Sequence, residues 1–356
     1  MIAPPRVLYD GWALTYAPSS PAAFHLLALL HALPPGVDAQ VAVPGPCRPL
    51  LPAGATLLTR STPNTSRARL AWEQRTLPRL AQSSGAALLH LFGLHPPLSS
   101  PVPVVASPAD VDLPPLRLGQ VAERLRAALV AGAQASFRGL FWPDDLDPPG
   151  GSIPAYRLPA LAHPAFSAPR AGPTGGIDGA VLYHGPADRP SLLRLLDGWG
   201  WVSGVIGEYN PLVLAGLTPA ENQLLDQLVA AGGFGGSVQT ASAETPSDWA
   251  ALYAAAALIV HPAAAPIWDG PVSSALAAGK PLVAWDEPRT AQRVGGAAYL
   301  TPPGDSRALG AAISTLVVEE EMAANLAARA SQRAAEWKSP AFGARLQSAY
   351  HAILSR

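Results

Sequence analysis

The residues best placed to do chemistry lie between Trp249 and Trp285, in the stretch WAALYAAAALIVHPAAAPIWDGPVSSALAAGKPLVAW. Its pattern predicts a short helix over Trp249–Ala255, a buried strand over Ala257–His261, a Pro-rich loop, a helix from about Pro271 to Ala278 and a second buried strand over Pro281–Ala284. Strands covered on both faces read as such unbroken apolar runs, and strand, helix, strand is the α/β unit. Ligands of these sheets bind beyond the carboxyl ends of the strands, where the next helix offers free N–H groups to an anion. The segment from His261 to Ser274 occupies that place and is the expected functional centre. Two carboxylate clusters, Asp110-Val111-Asp112 and Asp144-Asp145-Leu146-Asp147, have the hard oxygens that suit a divalent cation. Such spacings arise by chance in a chain with many aspartates, so no metal site is assigned to them.

These residues need two domains to carry them, and the chain of 356 residues is long enough for two ordinary cores. Net charge is −1, only Lys280 and Lys338 are lysines, and no basic stripe is evident in the sequence, so nucleic acid is not an expected partner. Cys47 is the single cysteine, which excludes an internal disulfide framework and suits a reducing, cytoplasmic compartment. No signal peptide is read at the N-terminus, and no apolar run is long enough to suggest a transmembrane segment.

In order, Arg6–Tyr9 reads as a strand, and Ser19-Ser20-Pro21 as a helix start with a serine cap and proline at the first position. Val37–Val43 and Ala55–Leu58 read as further strands, followed by RARLAWEQRTLPRLAQSSGAALLHL, a helix leading to a strand that ends at His90. Pro101–Ala106 is another strand, Gln120–Gly139 has helical spacing, and Ala133–Leu140 runs toward a strand. The proline- and glycine-rich stretch Pro143–Gly176 is the expected interdomain linker. The second domain opens with AVLYHG from Ala180, and Ser247 is read as the cap of the helix before Trp249.

The stretch from Trp249 to Trp285 resembles the donor-sugar segment of the retaining group 1 glycosyltransferases (family 4-like), matching their motif at Pro271, Ala275, Ala277, Gly279, Pro281 and Val283. The run R-x-x-WEQ-x-x-LPR, followed by a strand ending LLH, is similar to the acceptor-side half of the same family. The resemblance implies an α/β protein of the GT-B fold, with two Rossmann-like domains whose parallel sheets face an interdomain cleft. The implied domains are residues 1–165 on the acceptor side, 177–338 on the nucleotide-sugar side, and a C-terminal helix over 339–356 crossing back to the first domain.

It also implies roles. His90, Asp110 and Asp269 are the candidate catalytic residues; Ser19, Ser20, Gly185, Arg189, Gly270, Pro271, Val272, Ser273 and Ser274 are the candidate donor contacts. The family's two glutamates fall on Pro266 and Ser274, and Pro186 and Pro190 stand where its cations are expected. The implied partners are a nucleotide-sugar, which is a substrate rather than a cofactor, and a glycan, lipid-linked or small-molecule acceptor; no cofactor or metal is implied. Peripheral membrane contact is compatible with the resemblance, although the sequence reveals no basic amphipathic helix to argue for it. The expected activity is sugar transfer with retention, the alternative a catalytically silent homologue that binds a glycan, nucleotide or partner protein. A sugar-nucleotide epimerase ranks lower, and an NAD enzyme is disfavoured because the first turn lacks the glycine fingerprint.

Overall fold

A computed structural model describes residues 4–47, 51–109, 136–148, 153–168, 177–268 and 270–356. The chain forms two compact units, one of Met1–Leu161, Pro266–Asp269 and Lys338–Arg356, the other of Ala162–Ala265 and Gly270–Trp337. No helix among the described residues is long and apolar enough to cross a membrane.

The first unit is built on seven described parallel strands in the order β3-β2-β1-β4-β5-β6-β7. They are β1 (Arg6–Asp10), β2 (Asp38–Val43), β3 (Thr56–Thr59), β4 (Leu88–Leu91), β5 (Val104–Ala106), β6 (Phe137–Pro143) and β7 (Ala155–Leu158). Side chains alternate across a strand. Val7 and Tyr9 of β1 therefore enter one core, while Leu8 enters the other with Trp72, Leu77 and Leu80. A short helix α1 (Trp12–Tyr16) follows β1, and α2 (Pro21–Ala32) begins where the Ser20 hydroxyl accepts the Ala23 N–H. Between β3 and β4 run α3 (Ser66–Ala71), a π turn (Trp72–Thr76) and α4 (Leu77–Ser83). Trp72 donates its indole N–H to Asp10 at 2.9 Å, tying this connection to the end of β1.

Strand β7 lies inside the proline-rich stretch read as a linker. Among the described residues it pairs only with β6, at the sheet edge, where proline-rich neighbours are tolerated. The helical spacing over Gln120–Gly139 falls largely on residues outside those described, and β6 begins at Phe137.

The second unit holds six described parallel strands in the order β10-β9-β8-β11-β12-β13. These are β8 (Val181–Tyr183), β9 (Leu212–Ala215), β10 (Val238–Ala241), β11 (Leu258–His261), β12 (Leu282–Trp285) and β13 (Tyr299–Thr301). The helices between them are α5 (Arg189–Gly200), α6 (Ser203–Ile206), α7 (Pro219–Gly232), α8 (Pro246–Ala255), α9 (Pro271–Ala277), α10 (Pro288–Val294) and α11 (Ser306–Val318). α12 (Glu320–Ala334) follows in the same unit, and α13 (Ser339–Leu354) belongs to the first. The cap of α8 is Thr245 rather than Ser247. Pro246 takes the first helical position, and Thr245 and Asp248 form a reciprocal capping box. Gly279 turns the chain from α9 to β12 in a left-handed conformation, with φ +61°.

Helix α13 returns to the first unit, and its Phe342, Leu346 and Tyr350 enter the core shared with α2. Gly343 permits the approach: a Cβ there would strike the carbonyl oxygen of Ala32 and lie 3.2 Å from Pro34 Cδ. Gly343→Ala is expected to cost about 1–3 kcal/mol through overpacking, read as a lower urea midpoint. An unchanged midpoint would show that α13 does not need this contact.

Candidate functional site

Three neighbouring strands of the second unit, β8, β11 and β12, end side by side, with Val260 in register with Tyr183 and His261 with Ala284. The Tyr183 hydroxyl donates to the Pro186 carbonyl at 2.6 Å, folding the turn after β8 back on its strand. Gly185 lies inside that turn, and a Cβ there would come within 2.7 Å of the same hydroxyl. Asp188 caps α5 by accepting the Ser191 N–H at 3.1 Å and the Ser191 hydroxyl at 2.7 Å. One turn on, Arg194 donates to Ser191 Oγ at 3.3 Å and holds its guanidinium 5.4 Å from the ring centre of Trp285, the last residue of β12. Burial raises the Tyr183 hydroxyl pKa, Asp188 raises it further, and Arg194 opposes the rise. The edge of this sheet thus carries a half-buried arginine, an exposed arginine at 189 and a capping carboxylate.

Behind the edge lies a buried network. His261 Nδ1 is 2.6 Å from the His184 carbonyl; a carbonyl only accepts, so this nitrogen carries the proton. The Tyr253 hydroxyl donates to the Pro271 carbonyl at 3.3 Å and stands 2.8 Å from His184 Nδ1, which fits a proton on His184 Nδ1. The His184 ring stacks on Trp249 at 3.7 Å. Burial depresses the pKa of both histidines, and for His184 the neighbouring His261 adds to the fall. Both rings are neutral at pH 7 and join the ends of β8 and β11 to α8 and the first residue of α9.

Of the sequence candidates, Gly185 and Arg189 lie on the turn just described, Gly185 half-buried and Arg189 exposed. Gly270, Pro271, Val272, Ser273 and Ser274 open α9 as expected, but all five are buried. Ser273 accepts a hydrogen bond from Arg293 of α10 at 2.8 Å, whereas Ser274 Oγ has no hydrogen-bond partner among the described residues. A ligand reaches these side chains only if their covering residues move; the accessible polar residues of this sheet end include Asp188 and Arg189 of the α5 turn and Asp286 after β12. Ser20 is engaged as a helix cap, and Ser19 precedes it. Asp110 and Asp269 fall outside the described residues.

His90, a candidate catalytic residue by the resemblance, lies inside the first unit. It is 0% exposed, with Nδ1 2.6 Å from the Tyr350 hydroxyl and Nε2 2.8 Å from Ser107 Oγ. Its ring lies among Tyr9, Phe92 and Phe141. Burial lowers its pKa from 6.5 to about 3. Because the folded state then binds fewer protons than the unfolded one, stability is full above pH 6.5 and falls as the pH drops toward 3. His90→Gln is expected to flatten this acid limb by up to about 1.4 kcal/mol per pH unit, measured by urea unfolding at pH 6 and below. An unaltered slope would remove His90 as a source of acid lability; His31, His184 and His261, whose pKa values burial also lowers, act in the same direction.

The sequence reading missed Arg194 and the His184–Tyr253 pair. Arg194 had a signal, a single charge inside the apolar run Leu192-Leu193-Arg194-Leu195-Leu196. Tyr253 stood in the stretch already singled out, but its pairing had no local signal, since its partner His184 is 69 residues distant.

Solved structures show which fold this arrangement has. Anabaena HepE, solved in complex with UDP and glucose, is similar over 97% of this chain and 99% of its own, with 16% identity and a TM-score of 0.69. Sucrose-phosphate synthase from Thermosynechococcus elongatus is similar over 99% of both chains, with 16% identity and a TM-score of 0.71. An α,α-trehalose-phosphate synthase from Burkholderia xenovorans gives 13% identity and a TM-score of 0.65 over 98% of this chain and 99% of its own. The fold is GT-B, with two Rossmann-like parallel-sheet units. Residues 204–319 match the family model described as glycosyl transferases group 1, and the fold is similar over nearly the whole chain. No curated protein sequence matches significantly.

Proposed function

We propose that this protein is a nucleotide-sugar-dependent glycosyltransferase that moves a sugar, with retention, to a glycan, lipid-linked or small-molecule acceptor. The observation that carries the reading is the family match over residues 204–319, the part of the second unit that contains β11, α9 and β12. The donor diphosphate lies along the α5 turn. Gly185 allows it to approach the backbone, and Arg189 and Arg194 offset its charge and that of the departing nucleoside diphosphate. Tyr253 and His184 act through position, fixing the start of α9 against the end of β8. Gly270–Ser274 form the wall under the sugar and contribute after local opening. Asp269 is the proposed carboxylate of the loop before α9, and Asp110 that of the first unit. In the first unit Ser19 and Ser20 shape the α2 turn, and His90 holds β4 against α13 from behind it.

A second reading, a silent homologue that binds without turnover, is favoured by specific residues. Pro266 and Ser274 stand where family glutamates are expected, and Asp188 places a carboxylate at the N-terminus of α5, where an anion would otherwise gain from the helix dipole. Incubation with a panel of nucleotide-sugars separates the two. Release of a nucleoside diphosphate from one donor, accelerated by an acceptor, is the expected result. Binding of a nucleotide without release would establish the silent reading.

A further inference from the structure

We propose that the outer face of the α3–α4 connection docks this protein on a membrane surface rich in acidic lipid. The inference uses only the first unit and stands independently of the donor site. Residues 56–83 contain five arginines and one glutamate, in a chain whose formal net charge is −1. Arg69 and Glu73 neutralise each other at 3.1 Å, with the Arg69 guanidinium also over Trp12. Arg67, Arg75 and Arg79 are exposed, and no ion pair among the described residues holds any of them.

Their spacings of eight and four residues already set them within about 120° of one another on an α-helix, which turns about 100° per residue. The intervening π turn at Trp72–Thr76 advances less per residue, and keeps the three nearer one outward face. Trp72, Leu77 and Leu80 fill the opposite face and are buried in the core, so the connection is a basic amphipathic segment fixed in orientation.

Apolar groups accompany the charge. Leu70 is 52% exposed on α3, and Leu98 is 60% exposed on a loop whose backbone N–H donates to Gln74 Oε1 at 2.9 Å. Arginines beside exposed leucines fit a bilayer interface better than a soluble polyanion, because leucine gains only where hydrocarbon receives it. Nucleic acid fits less well, for the exposed large apolar groups on this segment are aliphatic rather than base-stacking aromatics.

The test is co-sedimentation of the full chain with vesicles of phosphatidylglycerol and phosphatidylcholine, against pure phosphatidylcholine. Binding is expected only to the acidic vesicles, falling about fivefold for each of R67Q, R75Q and R79Q and about a hundredfold for the triple variant. Leu70→Ser with Leu98→Ser is expected to weaken the binding that survives raised salt. All are surface changes, so far-ultraviolet circular dichroism should be unchanged. No binding to acidic vesicles, or equal binding by the triple variant, overturns the proposal. Heparin binding that depends on the arginines but not on the leucines, with no vesicle binding, assigns the face to a soluble polyanion instead.

Discussion

Arg194→Ala is expected to weaken nucleoside diphosphate binding about ten- to a hundredfold. A hydrogen bond between a guanidinium and a charged oxygen contributes about 1.5–3 kcal/mol, and here it also offsets the repulsion from Asp188. Truncation also removes the contact with Trp285, so Arg194→Met, which keeps an apolar stem over the ring, isolates the charge. Both variants should lose affinity together, and Arg194→Lys should fall between, since an ammonium is a point charge without the guanidinium fork. Calorimetric titration of the three variants with one nucleoside diphosphate measures this. If Arg194→Met binds as the unaltered protein does, Arg194 serves only to pack α5 against β12.

Trp72→Ala is expected to lower the unfolding free energy by about 3–5 kcal/mol, the cost of emptying a large core position. Trp72 is 0% exposed among Leu8, Leu77 and Leu80. A domain's whole stability is about 5–15 kcal/mol, so this one change removes a large share. Trp72→Phe refills most of the volume but deletes the indole N–H that Asp10 accepts, and should cost about 1–3 kcal/mol. Burial already raises the Asp10 pKa, against the lowering effect of Trp72 and the Trp12 backbone N–H. Without the indole it rises further. A carboxyl whose folded pKa exceeds the unfolded one gives stability that is present at low pH and lost as the pH rises through the folded value. The Trp72→Phe deficit should therefore shrink on acidification from neutral pH, as read by urea unfolding at several pH values. A deficit independent of pH would mean that Asp10 does not depend on Trp72.

The strands were legible because parallel strands covered on both faces must be apolar throughout. Leu258–His261 and Leu282–Trp285 fall within a residue of the positions their apolar runs predict. The α8 cap was misplaced by two positions because Thr245-Pro246-Ser247-Asp248 offers two hydroxyls, and only the reciprocal bond with Asp248 decides between them. Burial was far less legible. His90 reads as a polar strand end, yet its partner Tyr350 lies 260 residues along the chain, on a helix that returns to the first unit. The start of α9 reads as an open anion-binding tip, but Gly270–Ser274 are covered, and covering depends on tertiary neighbours that local spacing does not encode. The basic face of α3–α4 escaped for a third reason. Arg67, Arg75 and Arg79 share a helical arc by spacing, but Arg69 and Glu73 lie among them in the sequence, and only the structure shows that these two pair with each other and leave the three exposed.

The most direct measurement is a crystal structure of the full chain soaked with a nucleoside diphosphate at saturating concentration. The account predicts electron density for the diphosphate beside the Gly185 turn, with a phosphate oxygen within hydrogen-bond distance of Arg194 and the end of β12 close by. A nucleotide seated elsewhere in the chain, or an empty α5 turn at saturation, would contradict it.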